Sequence, residues 1–478
     1  MTIRPSRGLD RRAFLRLSGT TAAAFAAGSL VSCGQANDAD TPSGSGSTGA
    51  PSTEPDADNP LNVSADEPLE TVIFKGGYGD QYVIDAQAIY TERFPNAEIK
   101  HQGGQELGKQ LQPRFISGDV PDLIDNSGAG NLPMAALVAD GQLMDLTPLL
   151  DAPAIGADGK TVRETLIPGV VDLGSFGGTP HALYYAFVVH GIWHSRSLFE
   201  ENGWPEPETW DDMLDLCAEI KSTGMSPWTY QGKNPGYILT PILMAAAKAG
   251  GLDVLKNIDN LEAGAWTAPP VMAAAEAFYQ LVERDYILPG TSGMTHTQAQ
   301  TYWATGEAAF IPCGSWLESE LGDVTPDGFD MVVTTTPAVT SSDALPGTAI
   351  RGMGSEPYIV PSQAKNPMGG MELLRIMLSP ESATNFTDQT QTLTSLADYE
   401  PTDVGSGLTS VREALAASGD DTFFWLYNQW YSELSASVNE TTSLLMTGEI
   451  NPDEWAQQCQ SAADAVKDDD SVTKFQRD

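Results

Sequence analysis

From residue 69 the chain alternates between two hydrophobic periods, and this alternation restricts the fold more than any other feature. TVIF (71–74) reads as a short strand, and Tyr82, Val83, Ala86, Ile89, Tyr90 and Phe94 then recur at helical spacing until Pro95. AEIKHQ reads as a second strand, Glu106 to Ile116 as a helix, PDLID as a third strand, and MAALVAD as a helix closed by Gly141. Strand, helix, strand, helix, strand predicts an α/β fold with a mainly parallel sheet flanked by helices. Ligands of such sheets gather beyond the carboxyl ends of the strands. That places Gly76, Gly77 and Tyr78 after the first strand, and Asn126, Ser127 and Gly128 after the third, among the binding candidates.

The chain is long enough to need more than one core. About 410 residues follow position 68, beyond the size at which one core stops growing, so at least two lobes are expected. What precedes them has another purpose. Arg4, Arg7, Arg11, Arg12 and Arg16 lead an apolar stretch from Leu17 to Ser32 that is rich in small residues, the pattern of an export signal. Spanning a bilayer takes about 20 apolar residues, and this run is shorter. Arg11-Arg12-Ala13-Phe14-Leu15 resembles a twin-arginine export motif, and Leu30-Val31-Ser32-Cys33 resembles a lipobox. Residues 1–33 are therefore read as a leader ending at Cys33, the residue that would carry the lipid anchor at about 0.8 kcal/mol per buried methylene. Residues 34–68, crowded with Gly, Ser, Thr, Pro, Asp and Asn, are read as a disordered tether.

Charge removes whole classes of partner. Lys plus Arg number 25 against 64 Asp plus Glu, for a formal net charge of -39, which repels phosphate backbones and anionic headgroups. No nucleic acid is expected, and membrane contact only through the anchor. After Cys33 three cysteines remain, Cys217, Cys313 and Cys459, an odd number at wide spacing that no disulfide framework can use in full. Thr209 with Asp212 forms a capping box for a helix closed by Gly224, and Ser379 with Pro380 opens another. Further helical patterns lie at Val271 to Glu283, in MELLRIML and in DEWAQQCQSAADAV.

Three stretches carry a resemblance. HALYYAFVVHGIWHSRSLFEENGWPEPETWDDML, GEAAFIPCGSWLESEL and LLRIMLSPESATNF, in that order, are similar to segments of the extracellular solute-binding proteins of bacterial carbohydrate ABC importers. The resemblance implies a two-lobed fold with three interlobe crossings near Phe187, Pro312 and Gly354. It also implies discontinuous lobes, 69–187 with 313–355 and 188–312 with 356–478. A sugar in the seam, hinge closure on binding, ABC permease subunits as partners and a monomeric state complete what it implies. The likeness around WTYQGK points to N-acetylglucosamine or chitobiose.

A sugar site needs aromatic platforms against the ring faces and a few fixed polar groups for the hydroxyls. Trp316 follows the second expected crossing, with Ser315 placed to cap the following helix and Glu318 placed to accept from a hydroxyl. Arg351, in a glycine-rich stretch beside the third crossing, offers five fixed donors. Tyr230 and Lys233 come from a loop full of turn residues, Trp425 and Tyr427 from the aromatic run DTFFWLYNQWY, read as helical, and Phe187 from the first crossing.

Two other classes stay open at this level. An exported glycoside hydrolase would need two placed carboxylates, and no spacing singles out a pair; a surface adhesin would bind without chemistry. Gly-x-Ser-x-Gly does not occur, and GGQELGKQ has Gln110 where a P-loop needs Ser or Thr. His190 and His194 lie in a strand-like run without a third ligand, so neither metal nor cofactor is expected.

Overall fold

Among the described residues, eleven strands follow in chain order. They are β1 (Leu69–Phe74), β2 (Ile99–Gly104), β3 (Leu123–Asp125), β4 (Ser175–Phe176), β5 (Thr179–Pro180), β6 (Ala182–Ser195), β7 (Ser226–Trp228), β8 (Ala308–Gly314), β9 (Met331–Thr334), β10 (Arg351–Ile359) and β11 (Leu393–Thr394). This computed structural model describes residues 59–477 apart from positions 129, 323, 340, 341 and 403, so the leader, Cys33 and the tether up to 58 lie outside the described residues. Residues 59–68 do not behave as tether. Leu61 and Val63 are buried, and the Asn59 side chain bonds both the amide and the carbonyl of Val63. Two apolar side chains with a place in the core are enough to recruit this short stretch.

Nine strands form one sheet in the order β2-β1-β3-β10-β6-β8-β7, with β9 and β11 also on β6. The βαβ reading holds where it was made: β1 pairs in parallel with β2 and with β3. The centre differs from a mainly parallel sheet, because β6 and β10 run antiparallel to each other, and β10 also runs antiparallel to β3.

β6 decides the architecture. Its residues ALYYAFVVHGIWHS are buried almost throughout rather than alternately, as in a strand covered on both faces. Its first part, Ala182 to His190, pairs with β10, and its last part, His190 to Ser195, with β8 and β9. His190 is the handover residue, opposite Arg351 on one side and Gly314 on the other. At the next position a side chain is excluded, since a Cβ on Gly191 would collide with the Thr334 carbonyl of β9.

The helices sort onto the two sides of this junction. Gln81–Arg93 packs with Pro367–Met377 and Pro380–Thr390 beside β1 to β3. On the other side Gly236–Gly250 packs on Pro269–Glu283, Ser432–Met446 on Pro452–Asp468, and Ser406–Ser418 on β9. The expected segment grouping is therefore corrected. Residues after 356 return to the first side up to β11, and β9 belongs to the second. The reason is direction: β10 runs antiparallel to β6 and so carries the chain back across the junction. No change of side occurs at Pro312, which sits opposite Ile192 inside the β6–β8 pair. The third passage lies between β11, paired with Phe187 and Ala186, and the helix Ser406–Ser418.

Candidate functional site

A cleft of about 1110 Å³ opens at the junction. Its walls come from the loop after β1, from the segment 233–240, from the turn after β8, from β10 and from residues 425–439. On the β1 side Phe74, Gly76, Gly77, Tyr78 and Gly128 line it. Gly76 and Gly128 flank the Phe74 ring so closely that a Cβ at either position would strike it, which is why this wall can be flat and aromatic.

The opposite wall is built on the handover register. The Trp316 ring folds over Gly314, where a Cβ would collide with it. It meets His190 edge to face (centroids 5.1 Å apart, planes at 82°) and Tyr237 in the same manner at 6.0 Å. Arg351, opposite His190 in the sheet, lays its guanidinium 4.1 Å from the centroid of the Trp425 ring, a cation–π contact. Burial lowers the Arg351 pKa to about 9, so the group stays charged at neutral pH. Burial and the nearby Arg351 charge push the His190 imidazole well below its usual range, so it is neutral.

Several polar atoms here have no partner among the described residues: Arg351 Nε, His190 Nδ1 and Asn428 Oδ1 are all buried and unbonded. A buried polar atom without a partner costs about 1–3 kcal/mol, so three around one cavity make it the candidate binding surface. Two carboxylates add acceptors. Glu320 takes a hydrogen bond from Gln300 Nε2 at 2.6 Å, and burial raises its pKa. Glu356 lines the cleft from a left-handed backbone (φ 55°), with the buried Asp125 as its neighbouring carboxyl. Burial, and then the neighbouring Glu356, push the Asp125 carboxyl well above the usual carboxylate range. Strain at a non-glycine residue facing a cavity is the kind retained at binding sites.

Of the sequence-derived candidates, Tyr78, Lys233, Trp316, Arg351, Trp425 and Tyr427 line the cleft. Five do not. Asn126 closes the loop after β3 by bonding both the amide and the carbonyl of Leu132, and Ser127 Oγ donates to Asp125. Phe187 sits in β6 opposite Gly354, and Tyr230 is buried, its hydroxyl pushed up to about 12. Ser315 Oγ accepts from the Val189 amide rather than capping the helix Leu317–Leu321. Glu318 likewise faces away, accepting from Gly407 and Leu408 at the start of Ser406–Ser418. The run at 421–431 is helical only over Tyr427–Trp430; Phe423 instead bridges to Arg351. Phe74, His190, Tyr237, Glu320 and Glu356 line the cleft and were not singled out as ligand contacts. His190 carried one usable signal, its place in a strand run near an expected crossing.

Similarity to known proteins follows the same outline. A family profile described as bacterial extracellular solute-binding protein matches residues 74–384. The diacetylchitobiose binding protein NgcE of Streptomyces coelicolor is 35% identical over 477 residues, covering 99% of each chain. Among solved structures, a chitin oligosaccharide binding protein superposes with a TM-score of 0.69 at 16% identity, over 83% of this chain and 98% of that one. The raffinose complex of RafE gives 0.66 at 18% identity, over 83% and 99%, and shares the fold.

Proposed function

The chain belongs to the bacterial extracellular solute-binding proteins, and from that membership we propose that it captures a short N-acetylglucosamine oligosaccharide, of the diacetylchitobiose class. It is the carbohydrate-binding receptor of an ABC importer. The observation that carries the sugar reading is the cleft itself, which sets flat rings at Trp316, Trp425 and Tyr78 against unpartnered polar atoms on Arg351, His190 and Asn428. Rings cover the apolar faces of a pyranose, and the polar atoms take its hydroxyls and amides.

The two sides of the sheet act as lobes. Roughly 59–187 with 355–398 form one, and 188–354 with 406–477 the other, joined through β6 and β10. Closure about that joint buries the ligand and presents the closed form to the permease. The protein is monomeric and releases its ligand unchanged. Cys33, in Leu30-Val31-Ser32-Cys33, carries the acyl anchor, with the residues after it as the leash. Loss of labelled fatty acid from a Cys33→Ser variant is the expected result; retained label removes the anchor.

Titration calorimetry with N,N′-diacetylchitobiose, N-acetylglucosamine and maltose tests the specificity. Binding of the first two with no product formed is expected. Thermal stabilisation of about 2.7 kcal/mol should accompany ligand at 100 times its Kd. Hydrolysis of the disaccharide turns the reading toward the glycoside hydrolase, and silence across the sugar panel turns it toward the adhesin.

A further inference from the structure

Trp425 reaches Arg351 from a stretch of chain with little regular structure of its own. Phe423 is bridged to Arg351, and Trp425 lies between that bridge and the four-residue helix Tyr427–Trp430. A helix that short is not stable by itself, so something else must fix the Trp425 backbone. The residues that do so stand outside the cleft.

Asp259, wholly buried at the end of the helix Asp253–Asp259, accepts from the Leu426 amide at 2.7 Å and the Tyr427 amide at 2.8 Å through one oxygen. Its other oxygen accepts from Arg477 NH1 at 2.9 Å. The same Arg477 nitrogen donates to the Phe424 carbonyl at 2.9 Å, and the guanidinium lies 4.6 Å from the Phe424 ring centroid. The two backbone groups flanking Trp425 are thus held one by Arg477 and one by Asp259. Arg477 is itself fixed: its amide donates to Asn260 Oδ1 at 2.7 Å, and Asn260 Nδ2 donates to its carbonyl at 2.9 Å. Two residues earlier, the Phe475 ring packs on Trp430 and Phe176, and its amide donates to the Tyr431 hydroxyl.

We infer that Arg477 and Asp259 are positioning residues of the sugar site, a clasp that sets the Trp425 ring on Arg351 without touching the ligand. The inference rests on the reading that the cleft binds carbohydrate. Neither residue lines the cleft, so any effect on affinity must pass through the segment 424–427.

The test is calorimetry of the full exported chain with N,N′-diacetylchitobiose, well below the melting temperature. Arg477→Met should weaken affinity about tenfold, whereas Arg477→Lys should stay within about threefold, because both hydrogen bonds come from one nitrogen that an ammonium can replace. In a Trp425→Ala background Arg477→Met should have no further effect on affinity, the coupling expected of residues acting as a unit. Unchanged affinity in folded Arg477→Met, or effects of the two substitutions that simply add, overturns the clasp. A purely structural role lowers the melting temperature and leaves Kd alone. Should Arg477→Met not fold, Asn260→Ala frees the Arg477 backbone while leaving the Asp259 charge covered. An affinity loss of about threefold is then expected, and none overturns the inference. If the wild-type chain binds no sugar, the carbohydrate reading fails first; if it binds and the variants match it, only the clasp fails.

Discussion

Two buried charge clusters in this protein are finished to different degrees. Between the helices Gln81–Arg93 and Pro367–Met377, Glu372 is fully buried with both oxygens occupied. One receives Arg93 and Arg375 nitrogens at 2.8 Å each, and the other receives Arg375 Nε at 2.7 Å. Arg375 spends a remaining donor on the Pro153 carbonyl. In the cleft, Arg351 is buried just as deeply, yet its charge meets no carboxylate among the described residues: it lies on the Trp425 face, one nitrogen donates to the Met353 sulfur, and its Nε has no partner there. The first cluster is closed and can only hold helices together. The second keeps hydrogen-bonding capacity open, which lowers the stability of the empty protein and makes a polar ligand the missing part.

If that contrast is right, the two clusters must respond oppositely to substitution. Glu372→Ala strands the buried Arg375 guanidinium and should cost about 3–5 kcal/mol of folding stability in denaturant titrations. Sugar affinity measured on the remaining folded fraction should hold. Arg351→Met should do the reverse, removing about 2 kcal/mol of binding free energy, some thirtyfold in Kd, with little loss in the unliganded melt. A large drop in stability with Kd intact would erase the distinction. Trp316→Ala should weaken binding about tenfold by removing a ring face, again with the empty protein nearly unchanged; equal affinity would take Trp316 out of the site.

The most gradual effect is expected with pH, from the raised pKa of the buried Asp125 carboxyl beside Glu356. The folded pKa of Asp125 is raised above its unfolded value, so the folded state binds more protons. Its contribution to stability is complete below the ordinary carboxylate range and is lost as pH rises through the folded value. The slope for one proton is at most about 1.4 kcal/mol per pH unit. Unliganded melts from about pH 4 to 8 should show this fall in the wild type relative to Asp125→Asn. Parallel curves for the two would mean that Asp125 carries no such shift.

Local chemistry accounts for what the sequence made legible. The Thr209–Asp212 capping box, the Ser379 cap and the parallel pairing of β1 with β2 and β3 follow from neighbours a few residues apart or from a βαβ unit. Trp316, Arg351 and Trp425 could be picked out because each is a ring or a guanidinium in a local pattern of its own: a turn after a strand, a glycine-rich stretch and a dense aromatic run. Asn126, Ser127 and Ser315 have equally plausible side chains, but their partners, Leu132, Asp125 and Val189, consume them. Glu356 was hidden for the opposite reason: nothing near it in the chain marks it as a strained carboxylate facing a cavity.

The sequence by itself determined the kind of object this is, since hydrophobic period and caps act over a few residues and fix strands, helices and the α/β alternation. Tertiary structure decided where the chain crosses, which side residues 356–398 join, and which polar atoms remain unpartnered at the cleft. Those outcomes depend on pairings such as His190 with Arg351 and Gly314, more than a hundred residues apart. An antiparallel strand reverses the direction of travel across a junction, and no local pattern records which strand will lie beside it.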